Sequence, residues 1–190
     1  MDQLVDDVVL LDEMARPVGT RSRATVHGAH TPLHLAFSCY LFDAQDNVLL
    51  TRRALGKRTW PGVWTNSFCG HPRPGESLPD AVRRHAEHEL GATVVDLDVV
   101  LPEFRYRAVD ASGVVENEVC PVLVARLQGP VTANPDEVME LRWVEPRELG
   151  ALVALAPWTL SPWAVAQVHE IAQLDDGFPD SLDTERRLVG

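Results

Sequence analysis

The sequence predicts an α/β sandwich in a single domain, a mixed sheet with helices on both sides. Three observations carry this. Apolar runs of strand length recur along the chain, joined by turns rich in Asp, Asn and Gly. Two segments instead place apolar residues at helical spacing behind a serine able to cap them. The length of 190 residues, 45% of them hydrophobic, suffices for one buried core.

Taken in order, Val8 to Leu11 reads as a short strand and Asp12 to Gly19 as a turn. Leu35 to Asp43 is an apolar run fit for a buried strand. Asp43 to Asn47 then turns and Val48 to Leu50 returns, which makes a hairpin. Residues 56–76 hold four glycines and three prolines and read as a long functional loop. Ser77 to Leu90 is the clearest helix. Ser77 caps it, Pro79 suits its first turn, Gly91 ends it, and Val82, Ala86 and Leu90 form its apolar stripe. Strands 97–109 and 114–127 follow, joined by a turn at Asp110 to Gly113, and Met139 to Val144 is a further strand. Pro146 to Leu152 reads as a short helix, and Ser161-Pro162 starts a second strong one running to about Leu174. The expected domain therefore spans 1–174, with 175–190 as a polar tail.

The formal net charge of −11 argues against a nucleic-acid partner or an anionic membrane surface. Arg52, Arg53, Lys57 and Arg58 are the local exception, four cations within seven residues. They offer a site for a small anion, although most such runs are solvated loops. Three cysteines are too few for a disulfide framework and fit a reducing, cytoplasmic setting. The acidic start is unlike a signal peptide, and no apolar run approaches the roughly 20 residues of a membrane span.

The helix at 77–90 carries a degenerate phosphate-processing motif. Gly70, Glu76, Arg84, Glu89 and Gly91 keep the frame of a Nudix box, whereas His85 and His88 stand where that box places glutamates. A Nudix hydrolase uses those carboxylates to gather metals around a diphosphate and activate water. With half of them replaced, diphosphate binding is expected without hydrolysis. Glu116 and Glu118, two apart on a strand, share one sheet face. Three histidines from separate places, His27, His34 and His71, join them as a plausible donor set for a six-coordinate divalent ion; each taken alone reads equally as a surface or core histidine.

Seven segments together resemble one family. They are His27-x6-His34 leading into Leu35-Ala36-Phe37, Thr51 to Leu55, Trp60 to Ser67, Cys69-Gly70-His71-Pro72, Phe104 to Arg107, Glu116 to Pro121, and Ser161-Pro162-Trp163. In this order the chain resembles a type I isopentenyl-diphosphate isomerase, a member of the Nudix superfamily, over roughly residues 4–170. The resemblance implies a Nudix-like sandwich and exchange between isopentenyl and dimethylallyl diphosphate, a small-molecule prenyl diphosphate substrate. It implies a metal site of His27, His34, His71, Glu116 and Glu118, open to Mn²⁺, Mg²⁺ or Zn²⁺. It places Glu89 at a Mg²⁺ that bridges the phosphates, and Arg23, Arg53 and Lys57 as the diphosphate clamp. His30 matches no ligand, and His85 departs from the family's cation.

The resemblance also assigns Cys69 and Glu118 to the two proton transfers, with Tyr106 beside Glu118 and Trp163 as an aromatic wall for the carbocation. Cys69 then needs easy thiolate formation, which the nearby metal and cations would favour. Its bland alternative is an inert buried thiol, which is the reading given to Cys39 and Cys120. Trp60, Trp64, Trp143 and Trp158 read as core or loop anchors. Two rivals stand beside the isomerase: a Nudix pyrophosphohydrolase and a non-catalytic diphosphate-binding module.

Overall fold

The computed structural model describes residues 6–174. The proposed tail at 175–190 lies outside them. Among the described residues, twelve strands and four α-helices form two mixed sheets. β1 (Asp7–Leu11), β2 (Pro17–Ser22), β3 (His34–Leu35), β9 (Arg105–Val109) and β10 (Val115–Val119) build the smaller one, in the order β2-β1-β3-β10-β9. β4 (Phe37–Phe42), β5 (Val48–Arg53), β8 (Thr93–Leu101), β11 (Val122–Gln128) and β12 (Val138–Val144) build the larger, in the order β12-β5-β4-β11-β8. β6 (Trp64–Thr65) pairs with β5 and β7 (Phe68–Gly70) with β4.

Each side of the larger sheet carries a core. Phe37, Cys39 and Leu41 of β4 pack with Ala81, Val82, Ala86 and Leu90 of α2 (Leu78–Leu90). Tyr40 and Phe42, on the alternate face, pack with Leu149 and Val153 of α3 (Pro146–Leu155) and Trp163, Ala164 and Val168 of α4 (Pro162–Ile171). The period of two along a strand produces this split. Because β4 is buried on both sides, its sequence reads as an apolar run interrupted only by Ser38.

α2 forms as its sequence requires. Ser77 Oγ accepts the Asp80 N–H at 3.3 Å, and Gly91 takes a left-handed φ of +54° while its N–H closes on the Glu87 carbonyl at 3.0 Å. Ser161 caps α4 in the same way through the Ala164 N–H at 3.3 Å.

The structure corrects several boundaries. The turn expected over Asp12 to Gly19 shortens, because Pro17–Ser22 pairs with β1 as β2. Arg23–Val26 forms a single helical turn, α1. The run 97–109 splits into β8 and β9, and 114–127 into β10 and β11. At this second break β10 ends in the smaller sheet and β11 begins in the larger. β3 and β4 make the same crossing alongside, paired in parallel with β10 and β11. Ala36 N–H donates to the Val119 carbonyl at 2.9 Å and Ser38 N–H to the Pro121 carbonyl at 3.0 Å, so the ladder runs through both sheets without a gap.

Candidate active site

The double crossing sets the site. Cα pairing puts Glu118 opposite His34 on one side and opposite Tyr106 on the other. A bridge from Gly28 to Val115 brings His27 to the same strand, and β7 delivers Cys69, with His71 immediately after it. A cleft of about 530 Å³ opens here, lined by all the site residues expected from the sequence except His34, which lies behind its wall, wholly buried.

His34, His71 and Glu118 converge. His34 Nε2 lies 3.2 Å from His71 Nε2 and 3.4 Å from Glu118 Oε1, and His71 Nε2 lies 3.1 Å from the same oxygen. With His27, one donor atom from each falls within 4.8 Å of the others. His27 Nε2 and Glu116 Oε2 approach to 2.9 Å, yet neither makes a well-aligned hydrogen bond although both are buried. Buried polar atoms without partners are rare. Here one of them, His27 Nε2, belongs to the converging group, so His27, His34, His71 and Glu118 could hold a divalent ion, with Glu116 set against His27.

Burial works against charge on Glu118, but the hydrogen bonds and charges of His34 and His71 outweigh it and hold the carboxyl well below the ordinary glutamate range. Burial also works to lower His34, where Glu118 prevails and the imidazole is raised. For His71 burial prevails and the imidazole is lowered. Tyr106 is pushed well up, by burial first and then by the Glu118 charge. Burial pushes the Cys69 thiol up to about 11, more than hydrogen bonding with Ser38 and the charge of Arg53 draw it down. The residues around it therefore favour the thiol.

The proposed aromatic wall is present as geometry. Trp163 is buried, its ring 5.5 Å from Tyr106 and edge-on to Trp60 at 5.2 Å, with the Arg53 guanidinium 5.6 Å over its face. Trp60 packs against the core, as the core or loop-anchor reading expects, and takes an unusual φ of +42°. Trp158 is no anchor, with 78% of its surface exposed.

The basic rim is already engaged. Arg53 donates from Nε and Nη2 to the Thr59 carbonyl at 3.0 and 2.9 Å. Lys57 is paired with Glu137, and Arg23 with Asp6 at 2.7 Å. Arg58, Arg73 and Arg84 also line the cleft. Glu89 is buried and accepts from His85 Nδ1 at 2.9 Å, so the i,i+4 relation on α2 is a real contact. His30 is exposed and stays outside.

Residues 32–165, well over half the chain, match the NUDIX domain family. The chain is 61% identical over 162 residues to "Isopentenyl-diphosphate Delta-isomerase" of Agromyces mediolanus, covering 85% of this chain and 79% of that one. It is 58% identical over 168 residues to the protein of the same name from Frankia alni, covering 88% and 87%. The chain belongs to the isopentenyl-diphosphate Delta-isomerase family of NUDIX proteins. Among solved structures, DR0079 from Deinococcus radiodurans shares the fold at a TM-score of 0.64 and 18% identity, covering 86% of this chain and 98% of that one. A MutT protein from Methanosarcina mazei Go1 does so at a TM-score of 0.54 and 20% identity, covering 71% and 89%. Both likenesses concern the fold alone.

Several residues escaped the sequence reading. Ser38, Asn66 and Gln167 are wholly buried polar groups around Cys69. For Ser38 and Gln167 the signal was a polar residue inside an otherwise apolar strand or helix face, which needs a partner once buried; Asn66, between β6 and β7, had none. Cys120, read as inert, lies 3.4 Å from Ser38 Oγ.

Proposed function

We propose that this chain interconverts isopentenyl and dimethylallyl diphosphate by adding and removing a proton through a tertiary carbocation. One observation carries the reading: the Cys69 thiol and the Glu118 carboxylate line the same cleft as the Trp163 and Tyr106 rings and a basic rim. The relatives' names support it.

In this reading Arg23, Arg53 and Lys57 take the diphosphate, exchanging their present partners for phosphate oxygens. Cys69 and Glu118 make the two proton transfers. Tyr106, opposite Glu118 in the sheet, shares the transferred proton with it, which lets Glu118 also serve as a ligand. The Trp163 face stabilises the cation by up to about 2 kcal/mol when desolvated and keeps water from trapping it. His27, His34, His71, Glu116 and Glu118 would hold a divalent ion (Mn²⁺, Mg²⁺ or Zn²⁺) that would supply fixed positive charge, and Glu89 would help hold a Mg²⁺ that would neutralise charge on the diphosphate. The cytoplasm is the proposed setting and the prenyl diphosphate the proposed partner.

The test is proton NMR of isopentenyl diphosphate with the protein and Mg²⁺ in D₂O, repeated with Mn²⁺ and with chelator. Terminal alkene signals should fall as dimethylallyl signals grow and deuterium enters the methyl groups, with loss of turnover in chelator. Phosphate or pyrophosphate release without isomerisation would make it a hydrolase, and an inert substrate would leave only a binding module.

A further inference from the structure

We infer that Asn66 and Ser38 are positioning residues for the Cys69 thiol, and that helix α4 sets them both. The inference deepens the isomerase reading and rests on it.

Asn66 is wholly buried. Its Nδ2 donates to the Cys39 carbonyl at 3.1 Å and the Phe68 carbonyl at 2.8 Å, which uses both amide protons and fixes which end is oxygen. That oxygen accepts from Thr65 Oγ1 at 2.8 Å, from Trp163 Nε1 at 3.1 Å and from Cys69 Sγ at 3.2 Å. The proton-transfer sulfur and the aromatic wall are therefore tied to one atom.

Ser38 holds the sulfur from another side. Its Oγ lies 3.3 Å from Cys69 Sγ and 3.4 Å from Cys120 Sγ, and it accepts the Gln167 Nε2–H at 2.9 Å. Gln167 Oε1 in turn accepts from Tyr40 OH at 3.0 Å. Trp163 and Gln167 stand four apart on α4, on one face. One helix thus reaches Asn66 with its indole and Ser38 with its amide.

The chemistry needs a sulfur that stays still while it gives or takes a proton. The Asn66 oxygen can only accept, so it grips the S–H. The Ser38 hydroxyl accepts or donates, so it keeps its contact with a sulfur that has lost its proton. Two partners on two sides select one rotamer of a side chain that otherwise has three.

The test uses the full chain with Mg²⁺ and isopentenyl diphosphate. Ser38→Ala and Gln167→Met, the latter one hydrogen-bonding residue removed from the thiol, should each lower kcat roughly tenfold with KM within about twofold, since small misplacements act on the chemical step. Ser38→Thr retains the hydroxyl and should recover most of kcat. Alkylation of Cys69 by iodoacetamide, followed by mass spectrometry, should change in rate in the same two variants, with or without an active isomerase. Unchanged kcat and alkylation would overturn the inference. So would a kcat loss that tracks a fall in Tm and is not recovered by threonine. Should Ser38→Ala fail to fold, Gln167→Met carries the test. A wild type that does not isomerise defeats the functional reading instead, and alkylation still judges the positioning.

Discussion

Replacing Glu76 by glutamine tests how the loop that carries His71 is held. Glu76 Oε1 accepts from Arg84 Nε and Oε2 from Arg84 Nη2, both at 2.7 Å, and Oε2 also accepts the Arg73 N–H at 2.8 Å. The same Arg84 Nη2 donates to the His71 carbonyl at 3.0 Å, so one guanidinium joins α2 to the backbone of a proposed ligand. The side chains are 16% and 27% exposed, between the exposed pairs worth under about 1 kcal/mol and fully desolvated charged hydrogen bonds worth about 1.5–3 kcal/mol. Glutamine keeps one acceptor and loses the charge. A loss of about 1–2 kcal/mol is expected, a drop in Tm of about 2–8 °C for a chain of this size.

The pH dependence has a definite sign. The Arg84 hydrogen bond first, aided by the Arg73 N–H and opposed by burial, holds the Glu76 carboxyl below its ordinary range. A group with a lowered folded pKa stabilises fully above its unfolded value, about 4.3 for glutamate, and loses that contribution as pH falls through the folded value. Thermal unfolding of wild type and Glu76→Gln should therefore show a constant gap from neutral pH to about 5 that closes below about 4. Equal Tm values at pH 7, or a gap that stays constant to the acid limit, would refute the reasoning.

Further outcomes are expected at the site. Cys69→Ala should lower turnover by about 10²–10⁴-fold with little change in Tm, since the thiol does chemistry more than packing; near-full turnover would remove it from the mechanism. Glu118→Gln should be similarly inactive, because an amide cannot deliver the proton; full activity would move the acid to Tyr106. Gly70→Ala should destabilise by about 1–3 kcal/mol in a thermal melt, because its Cβ would come within 2.4–2.5 Å of three atoms of the buried His85 ring, and an unchanged melt would mean the ring moves freely.

The sequence announced this fold where local signals were strong, as in α2, with Ser77 and Gly91 at its ends and a clean apolar stripe between. It was least legible at Ala36 and Cys120-Pro121, where strands pass between sheets. Nothing local marks a change of sheet, because the next strand begins at once with more apolar residues. The pairing of Glu116 and Glu118 on one face followed from the strand period alone. The approach of His34 to Glu118 depended on long-range parallel pairing, and those of His27 and His71 on other long-range pairings, which a single sequence does not encode visibly. The burial that raises the Cys69 thiol was not legible, because neighbouring cations are countable in sequence and burial is not. The buried Ser38 and Gln167 were visible only as polar interruptions.

The gapless parallel ladder through both sheets has a consequence for which lengths of chain can change. Residues 34–42 and 118–126 are locked to each other in register, and losing or gaining one residue in either would turn every later side chain to the opposite face. A one-residue slip of the whole of 34–42 would part His34 from Glu118 and Ser38 from Cys69 together. The 111–113 tip of the hairpin is exposed, beyond Asp110, which bonds the Trp60 backbone; Gly113 takes a φ of +87° and its surroundings are open. A tag or a fused domain belongs in that hairpin, where added length changes a loop and leaves the ladder as it is.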